Sequence, residues 1–210
     1  MSILAILGTV HSEDMRKESN YPLEKMAEII ERFQPDAIFG EVRPENWAEY
    51  CKDKSYDGYL GPNEYRRFII PYCEKRGIKF VPVDWFEDDM VGMDYYEGKS
   101  EEEKLKLDKK DEEFMKLYMD AGKKSAIPFN SFEANEVAKR WHDFADEVNH
   151  KVNNVYWICR NELMIMRIKN ALKELEGKKV LCTVGAEHTY FYYDGLKALK
   201  DWELVYPIKA

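Results

Sequence analysis

Short, continuous apolar runs separated by helical patterns constrain the fold of this chain most strongly. Four runs lie at Ile3–Leu7, Ala37–Val42, Lys79–Val83 and Lys179–Val184, and a fifth candidate strand lies at Glu203–Ile208. The four runs are apolar throughout rather than alternating, which is typical of strands that are covered on both faces. Helical patterns separate the first three runs. This order predicts βαβ units and therefore a parallel sheet.

Prolines at helix starts and a glycine after a helix end support helices between the first three runs. Pro22 and Pro44 each suit the first turn of a helix, where a missing backbone N–H costs nothing. Apolar residues recur at helical spacing through 65–72, and Gly77 fits the position just after the end of that helix. We therefore predict a helix before each of the second and third strands and one that begins at Pro44.

The stretch between the third and fourth runs has helical character only. Residues 96–176 contain no strand pattern, and Asn130 with Glu133 fits a helical capping box. A break is expected near Asn149–Lys151 or Asn153–Asn154. We predict one domain over residues 1–210, a three-layer α/β/α sandwich with a largely parallel central sheet and a long helical insertion at about 96–176.

Composition excludes some classes of partner. The 210 residues carry a formal net charge of −8, which disfavours general binding to nucleic acid. The longest apolar runs fall short of the ~20 residues that span a bilayer, and the first residues lack the basic start of a signal peptide. We expect a cytoplasmic protein that does not bind membranes. The amphipathic insertion suits a lid, a partner surface or an arm that forms a homo-oligomer.

Polar side chains follow the predicted strands at the point where each strand ends. The first and fourth strands run into two matching turns, Gly8-Thr9-Val10-His11 and Gly185-Ala186-Glu187-His188. Glu41 ends the second strand and Asp84 follows the third. Ligands of open parallel sheets bind outside the carboxyl ends of the strands, so these side chains are expected to meet there. The glycines allow either a tight turn or close packing.

The residue types at these strand ends suit two kinds of chemistry. Two neutral imidazoles and a carboxylate, here His11, His188 and Glu41, are a common ligand set for a divalent ion such as Mn, Co, Zn or Fe. The same residues also work without a metal, with His11 as a general base toward water. Glu41 has a simpler interpretation as a carboxylate at a helix start, and Asp84 as part of an acidic loop.

Arginines supply a candidate electrophile. Arg160 and Arg167 are seven residues apart and share one helix face, where a guanidinium needs an anionic partner such as Glu41 or a bound ligand. Arg43, two residues after Glu41, is a further candidate, and each arginine has the alternative of a structural ion pair. We predict ligand-binding roles for the following residues: Arg43, Asp84, Arg167 and Glu187. The other two histidines, His142 and His150, are interpreted as surface or packing residues.

These residues together resemble the TraB/PrgY–GumN family. The resemblance rests on Gly8-Thr9-Val10-His11, Glu41, Arg160-Asn161 and Val184-Gly185-Ala186-Glu187-His188, and it covers both ends of the chain but not roughly 86–150. TraB proteins often read Gly-Ala-Gly-His where this chain has Glu187. The family belongs with the TIKI proteases, ChaN-like haem proteins and erythromycin esterases. The resemblance implies an α/β/α sandwich with His11, Glu41, Arg160 and His188 as the shared polar cluster.

Three functions follow as expectations, because a shared fold does not fix the chemistry. The leading expectation is a metal-dependent hydrolase of a small-molecule or peptide substrate, which cuts a peptide or ester bond. In it His11, Glu41 and His188 hold the ion while Arg160 stabilises an oxyanion. A metal-free esterase-type hydrolase with His11 as the base is the second. The third is a non-catalytic ligand-binding or signalling module for a peptide or haem. Residues 190–193 suit stacking on such a ligand, and burial in a core helix explains these aromatics equally well.

Overall fold

A computed structural model describes residues 1–90 and 92–208 of the chain. A five-stranded sheet lies at its centre, every strand pair in it is parallel, and the strand order is β3-β2-β4-β1-β5. The elements in chain order are β1 (Ser2–Thr9), α1 (Glu13–Glu18), α2 (Leu23–Phe33), β2 (Ala37–Gly40), α3 (Pro44–Lys52), a π-helical turn (Tyr65–Ile69) that continues into α4 (Ile70–Arg76), β3 (Lys79–Pro82), a 3₁₀ turn (Asp88–Met90), α5 (Glu101–Lys124), α6 (Phe132–Val148), α7 (His150–Asn153), a second π-helical turn (Asn154–Cys159), α8 (Arg160–Leu172), β4 (Lys179–Gly185), a 3₁₀ turn (Ala186–His188), α9 (Thr189–Leu196) and β5 (Trp202–Val205).

Helices cover both faces of the sheet and create two hydrophobic cores. Along β1, Leu4 and Ile6 enter one core with residues of α8 and α9. Ala5 and Leu7 enter the other core with residues of α2, α5 and α6. Successive strand side chains point to opposite faces, so a strand covered on both sides must be apolar at every position. The predicted α/β/α sandwich with a parallel sheet is confirmed, and its cause is this double coverage.

Three predicted strands are longer in the sequence interpretation than in the structure, the third of them, β3, by the single residue Val83. β2 ends at Gly40, because the backbone N–H of Val42 turns back to the carbonyl of Gly40 at 2.8 Å. The fifth strand was predicted at Glu203–Ile208 but is Trp202–Val205. It pairs with β1 only over four residues, and Pro207 lacks the N–H that a longer ladder needs.

The helical insertion packs on both faces of the sheet, since α5 and α6 supply one core and α8 the other. The expected break after α6 is confirmed at Asn149, whose side chain caps α7. The predicted cap of α6 was wrong by one residue, because Ser131 accepts the backbone N–H of Ala134. Asn130 is buried and binds elsewhere, as described below. In the part of the chain that the structure describes, every helix is too short or too polar to cross a membrane.

Candidate functional site

The strand order brings the predicted site residues to one edge of the sheet. β4 lies between β1 and β2, so the two Gly-x-x-His turns leave adjacent strands and Glu41 leaves the next one. β3 is the neighbour of β2 and delivers Asp84 to the same edge. His11, Glu41, Asp84 and His188 come from four strands that are remote in sequence, and the parallel sheet gathers them as predicted.

The glycines of the two turns serve close packing rather than a left-handed backbone. Neither glycine has a positive φ. A Cβ added at Gly185 would lie 2.6 Å from Nε2 of His11, and one added at Gly8 would lie 2.9 Å from the side chain of Thr189. Each glycine therefore abuts the other turn. A larger residue at either position would push the two turns apart.

Glu41 is the centre of the cluster, and its side chain is buried. One carboxylate oxygen, Oε2, accepts the backbone N–H of Gly185 and lies 3.5 Å from Nε2 of His11. The other, Oε1, lies 3.6 Å from Nε2 of His188 and 3.3 Å from Nη2 of Arg160. Burial raises the pKa of Glu41, and the charges of His11 and Arg160 oppose that rise. Both histidines thus face one carboxylate.

His11 is held from its other side by a second buried carboxylate. Its Nδ1 lies 2.7 Å from Oε1 of Glu64, and the hydroxyl of Thr9 donates to the same oxygen at 2.8 Å. Desolvation acts to lower the pKa of His11, but the charge of Glu41 and the hydrogen bond to Glu64 outweigh it and raise that pKa to about 9. His11 is therefore an imidazolium at neutral pH, although 41% of its side chain is exposed.

His188 lies in a different environment at the same offset from its glycine. Its Nδ1 is 2.7 Å from Oδ1 of Asn161, and the amide nitrogen of Asn161 donates to the carbonyl of Trp157. The oxygen end of Asn161 therefore faces the ring, so Nδ1 of His188 carries the hydrogen and Nε2 presents a lone pair toward Glu41. Burial, followed by the charge of Arg160, lowers the pKa of His188 well below 6.5.

Arg160 joins two of the predicted carboxylates. Its Nε donates to Oδ1 of Asp84 at 2.8 Å and its Nη2 to Oδ2 at 3.0 Å, a bidentate pair, while Nη2 also reaches Glu41. Asp84 is completely buried and its role as a mere acidic-loop residue is excluded by this pair. In the described part of the chain the hydrogen bonds of Arg160 come from Nε and Nη2, which leaves Nη1 for a ligand.

The remaining predicted ligand-binding residues lie around this centre. Arg167 donates from Nη1 to the backbone carbonyl of Asp84 and so holds the loop after β3. Arg43 forms ion pairs with surface carboxylates, the shortest at 3.1 Å to Asp88, and lines a second cavity of about 480 Å³ that Arg160 also lines. Glu187 faces His142, with 3.5 Å between Oε2 and Nε2. The hydrogen bonds and ion pairs of Glu41 are with other described residues, namely His11, Arg160, Gly185 and His188.

Sequence reasoning missed several residues that position the cluster. Glu64 lies in the segment between α3 and the first π-helical turn, where no strand end or motif marked it. Asn130, from the insertion, accepts the N–H of Gly8 at 2.7 Å and donates to its carbonyl at 3.0 Å. His142, interpreted as a surface or packing residue, packs with its ring on Trp157, 3.5 Å between centroids, beside the site. Only Asn161 carried a signal, as part of the Arg160-Asn161 pair.

A cavity of about 740 Å³ opens over the cluster. Its lining includes His11, Glu41, Arg160 and His188, together with aromatic side chains from the insertion. The aromatic run at 190–193 is not part of this lining, and Tyr192, a residue of α9, is fully buried in the core. The burial of Tyr192 agrees with the alternative that a core helix explains this aromatic run.

The donor chemistry of the cluster suits a divalent ion. Both Nδ1 atoms are held by partners, so both Nε2 atoms are presented to Glu41, which is the arrangement that ligating histidines use. Separations of 3.5 and 3.6 Å from the Glu41 oxygens are near those between two ligands of one ion. Within residues 1–90 and 92–208, however, no three His, Cys, Asp or Glu side chains are grouped as a metal site. The donor types fit an ion, while the arrangement does not yet form a complete ligand cluster.

Comparisons with protein families, with curated proteins and with solved structures all give no match for this chain. The resemblance to the TraB/PrgY–GumN family therefore stays a prediction from the residues quoted above.

Proposed function

We propose that this protein is a hydrolase that splits a peptide or ester bond. One observation carries the proposal: two histidines face a single buried carboxylate at 3.5 and 3.6 Å, and their pKa values are shifted in opposite directions. Titratable neighbours whose environments push their pKa values apart are typical of an acid and a base in one active site. A cavity of substrate size lies over the same residues.

In this proposal His188 is the general base. Its Nε2 lone pair and Oε1 of Glu41 are 3.6 Å apart, a separation that allows one water to donate a hydrogen bond to each. His188 accepts a proton from this water as the oxygen attacks the carbonyl carbon. Glu41 then stabilises the imidazolium that forms. The hydrogen bond from Nδ1–H of His188 to Asn161 keeps the ring in the required tautomer.

His11 is the general acid in the same step. Its Nε2–H, charged at neutral pH, donates first to the developing oxyanion and then gives its proton to the leaving amine or alcohol as the C–N or C–O bond breaks. The free Nη1 group of Arg160 is the second donor to the oxyanion. After the acid product leaves, the proton gained by His188 returns to His11 through water. This assignment reverses the sequence-based hypothesis of His11 as the base.

A divalent ion held by His11, Glu41 and His188 is the second candidate for activating the water. The hydrogen bonds at both Nδ1 atoms favour such an ion, because they orient the rings with Nε2 toward Glu41. The negative charge of the buried carboxylates, which keeps a proton on His11, would stabilise a cation in the same way. When bound, such an ion would lower the pKa of its water and polarise the carbonyl. The proton on His11 competes with the ion, so binding would strengthen as pH rises.

The proposal is tested by acid release from N-acetyl amino-acid methyl esters and the corresponding amides. The assay compares wild-type protein with Glu41→Gln, before and after exhaustive chelation and with Mn, Co, Zn or Fe added back. Hydrolysis that Glu41→Gln abolishes supports a hydrolase at this site. Activity that survives chelation selects the metal-free mechanism. Activity lost on chelation, with bound metal that His11→Ala and His188→Ala no longer retain, selects the ion. Hydrolysis absent under all conditions would overturn the proposal.

A further inference from the structure

A column of stacked rings connects the proposed reaction centre to the wall of the large cavity. Trp157 stacks on His188 with 4.1 Å between ring centroids, and His142 stacks on the other face of Trp157 at 3.5 Å. His142 in turn lies 3.5 Å from Glu187. The cavity wall beside the proposed base, His188, is therefore aromatic, and the ring of His188 is the first ring of the stack.

The rest of that cavity continues the same character. Most of its other aromatic lining residues come from the loop after β3 and from the insertion: Tyr95, Tyr96, Tyr118, Trp141, Phe144 and Tyr156. A volume of about 740 Å³ is in the range of cavities that hold a whole small ligand. A close-packed protein interior leaves no cavity of this volume. Because aromatic rings line it, the cavity suits the binding of a large apolar group.

The charges of the lining determine which apolar groups fit. Asp94, Asp111 and Glu187 contribute carboxylates, while Arg160 is the one Lys or Arg among the lining residues that the structure describes, and it is paired with Asp84. The hydroxyl of Tyr118, a residue 2% exposed, has no hydrogen-bond partner among the described residues. The cations of the lining, His11 and Arg160, belong to the proposed reaction centre. An anionic group in the rest of the cavity would therefore meet carboxylates, whereas a neutral group with a polar tip or a cation would not be repelled.

Building on the proposed function, we infer that the substrate is an acyl compound with a large aromatic side chain next to the scissile carbonyl. That side chain is neutral or positively charged and occupies the aromatic cavity. The stacked rings of His188, Trp157 and His142 determine where this side chain lies relative to the scissile carbonyl, because they place the aromatic wall of the cavity beside Nε2 of His188, the proposed base. Small acyl groups leave the cavity unfilled, and acidic ones are repelled.

Methyl esters with one fixed leaving group test this preference. The series is the N-acetyl methyl esters of phenylalanine, alanine, lysine and glutamate, followed by acid release. We expect kcat/KM for phenylalanine to exceed that for alanine by at least about tenfold, with glutamate the poorest. Tyr156→Ala and Phe144→Ala should reduce the ratio of phenylalanine to alanine, and Tyr156→Phe should retain it. Phe132→Ala, an exposed aromatic outside the cavity, is the matched control and should leave the ratio unchanged.

A binding measurement separates this inference from the proposed function. Calorimetry with the N-acetyl amides of phenylalanine, alanine and glutamate is done on wild-type protein and on Glu41→Gln. Tighter binding of the phenylalanine amide, weakened by Tyr156→Ala, supports the inference even where no ester is hydrolysed. Hydrolysis of all esters at equal rates, or equal binding of the three amides, overturns the inference and leaves the hydrolase proposal standing.

Discussion

The two Gly-x-x-His turns have the same sequence pattern, the same position after neighbouring strands and the same carboxylate partner, yet they differ in chemistry. His11 has Glu64 behind it and 41% of its side chain exposed. His188 has Asn161 behind it, Trp157 over its face and only 6% exposed. The first environment keeps a proton on the ring and the second removes it.

The difference lies in the residues behind the rings, not in the motif. A carboxylate behind Nδ1 adds a negative charge, whereas an amide oxygen only orients the ring. Arg160 adds a positive charge that lowers the pKa of His188 further. The same motif on two neighbouring strands therefore gives one proposed acid and one proposed base, because the pKa of each histidine is determined by residues outside the motif.

Removal of the shared carboxylate should have the largest effect. Glu41→Gln keeps the shape but loses the charge that both rings face, so kcat for the proposed hydrolysis should fall by about 10³-fold. Steady-state kinetics measure this loss, and circular dichroism checks the fold. Glu45→Gln is the matched control and should retain full activity, since Glu45 is an exposed carboxylate whose ion pair among the described residues is with Arg43. A fall below about tenfold for Glu41→Gln would break the assignment of Glu41 to the centre.

Two near-isosteric substitutions should bring the pKa values of His11 and His188 closer together. Glu64→Gln removes the charge behind His11, so the pKa of His11 should fall from about 9 by at least about one unit. Asn161→Asp adds a charge behind His188 and should raise its pKa. In a profile of kcat/KM against pH, Glu64→Gln should shift the alkaline limb to lower pH and Asn161→Asp should shift the acid limb to higher pH. Limbs that stay in place in both variants would contradict the assigned roles.

Stability should also depend on the proton of His11. Its pKa in the folded state, about 9, lies above the unfolded value of 6.5, so the charged ring stabilises the fold fully below pH 6.5. That contribution is lost as pH rises through about 9. Because solvent screens a ring that is 41% exposed, we expect a loss of about 1 kcal/mol. Urea unfolding at pH 6 and pH 9.5 measures it, and His11→Gln should not show it.

Arg43 should have the smallest effect, because it lies outside both turns. Its partners Glu45, Glu87 and Asp88 are solvent-exposed carboxylates. Arg43→Gln should change the free energy of unfolding by less than about 0.5 kcal/mol. The pKa values of His11 and His188 should also be unchanged in an NMR titration. A shift in either would show that the difference between the turns extends to the second cavity.

The fold could be predicted from the sequence because its signals are local and repeated. The continuous apolar run Ile3–Leu7 already reports a strand buried on both faces, and Gly77 marks the helix end with a φ of 67°. The strand-end rule then placed His11, Glu41 and His188 together. The bounds of the last strand were wrong, because an edge strand with one partner ends where pairing ends rather than where apolar residues do.

The partners of the histidines could not be predicted in the same way. Glu64 precedes a π-helical turn and Asn130 comes from the insertion, and their contacts with His11 and Gly8 span 53 and 122 residues. Side-chain contacts over such distances depend on packing, which leaves no periodic trace in the sequence. The protonation states follow from these contacts, so the sequence indicated the site but not which histidine is charged.

The different protonation states of the two histidines can be measured by an NMR titration of ¹⁵N-labelled histidine. His11→Gln and His188→Gln assign the signals. We expect His11 to be an imidazolium at pH 7 and to lose its proton near pH 9. His188 should stay neutral, with the hydrogen on Nδ1, at pH values well below 6.5. Two rings that titrate together near pH 6.5 would contradict this expectation.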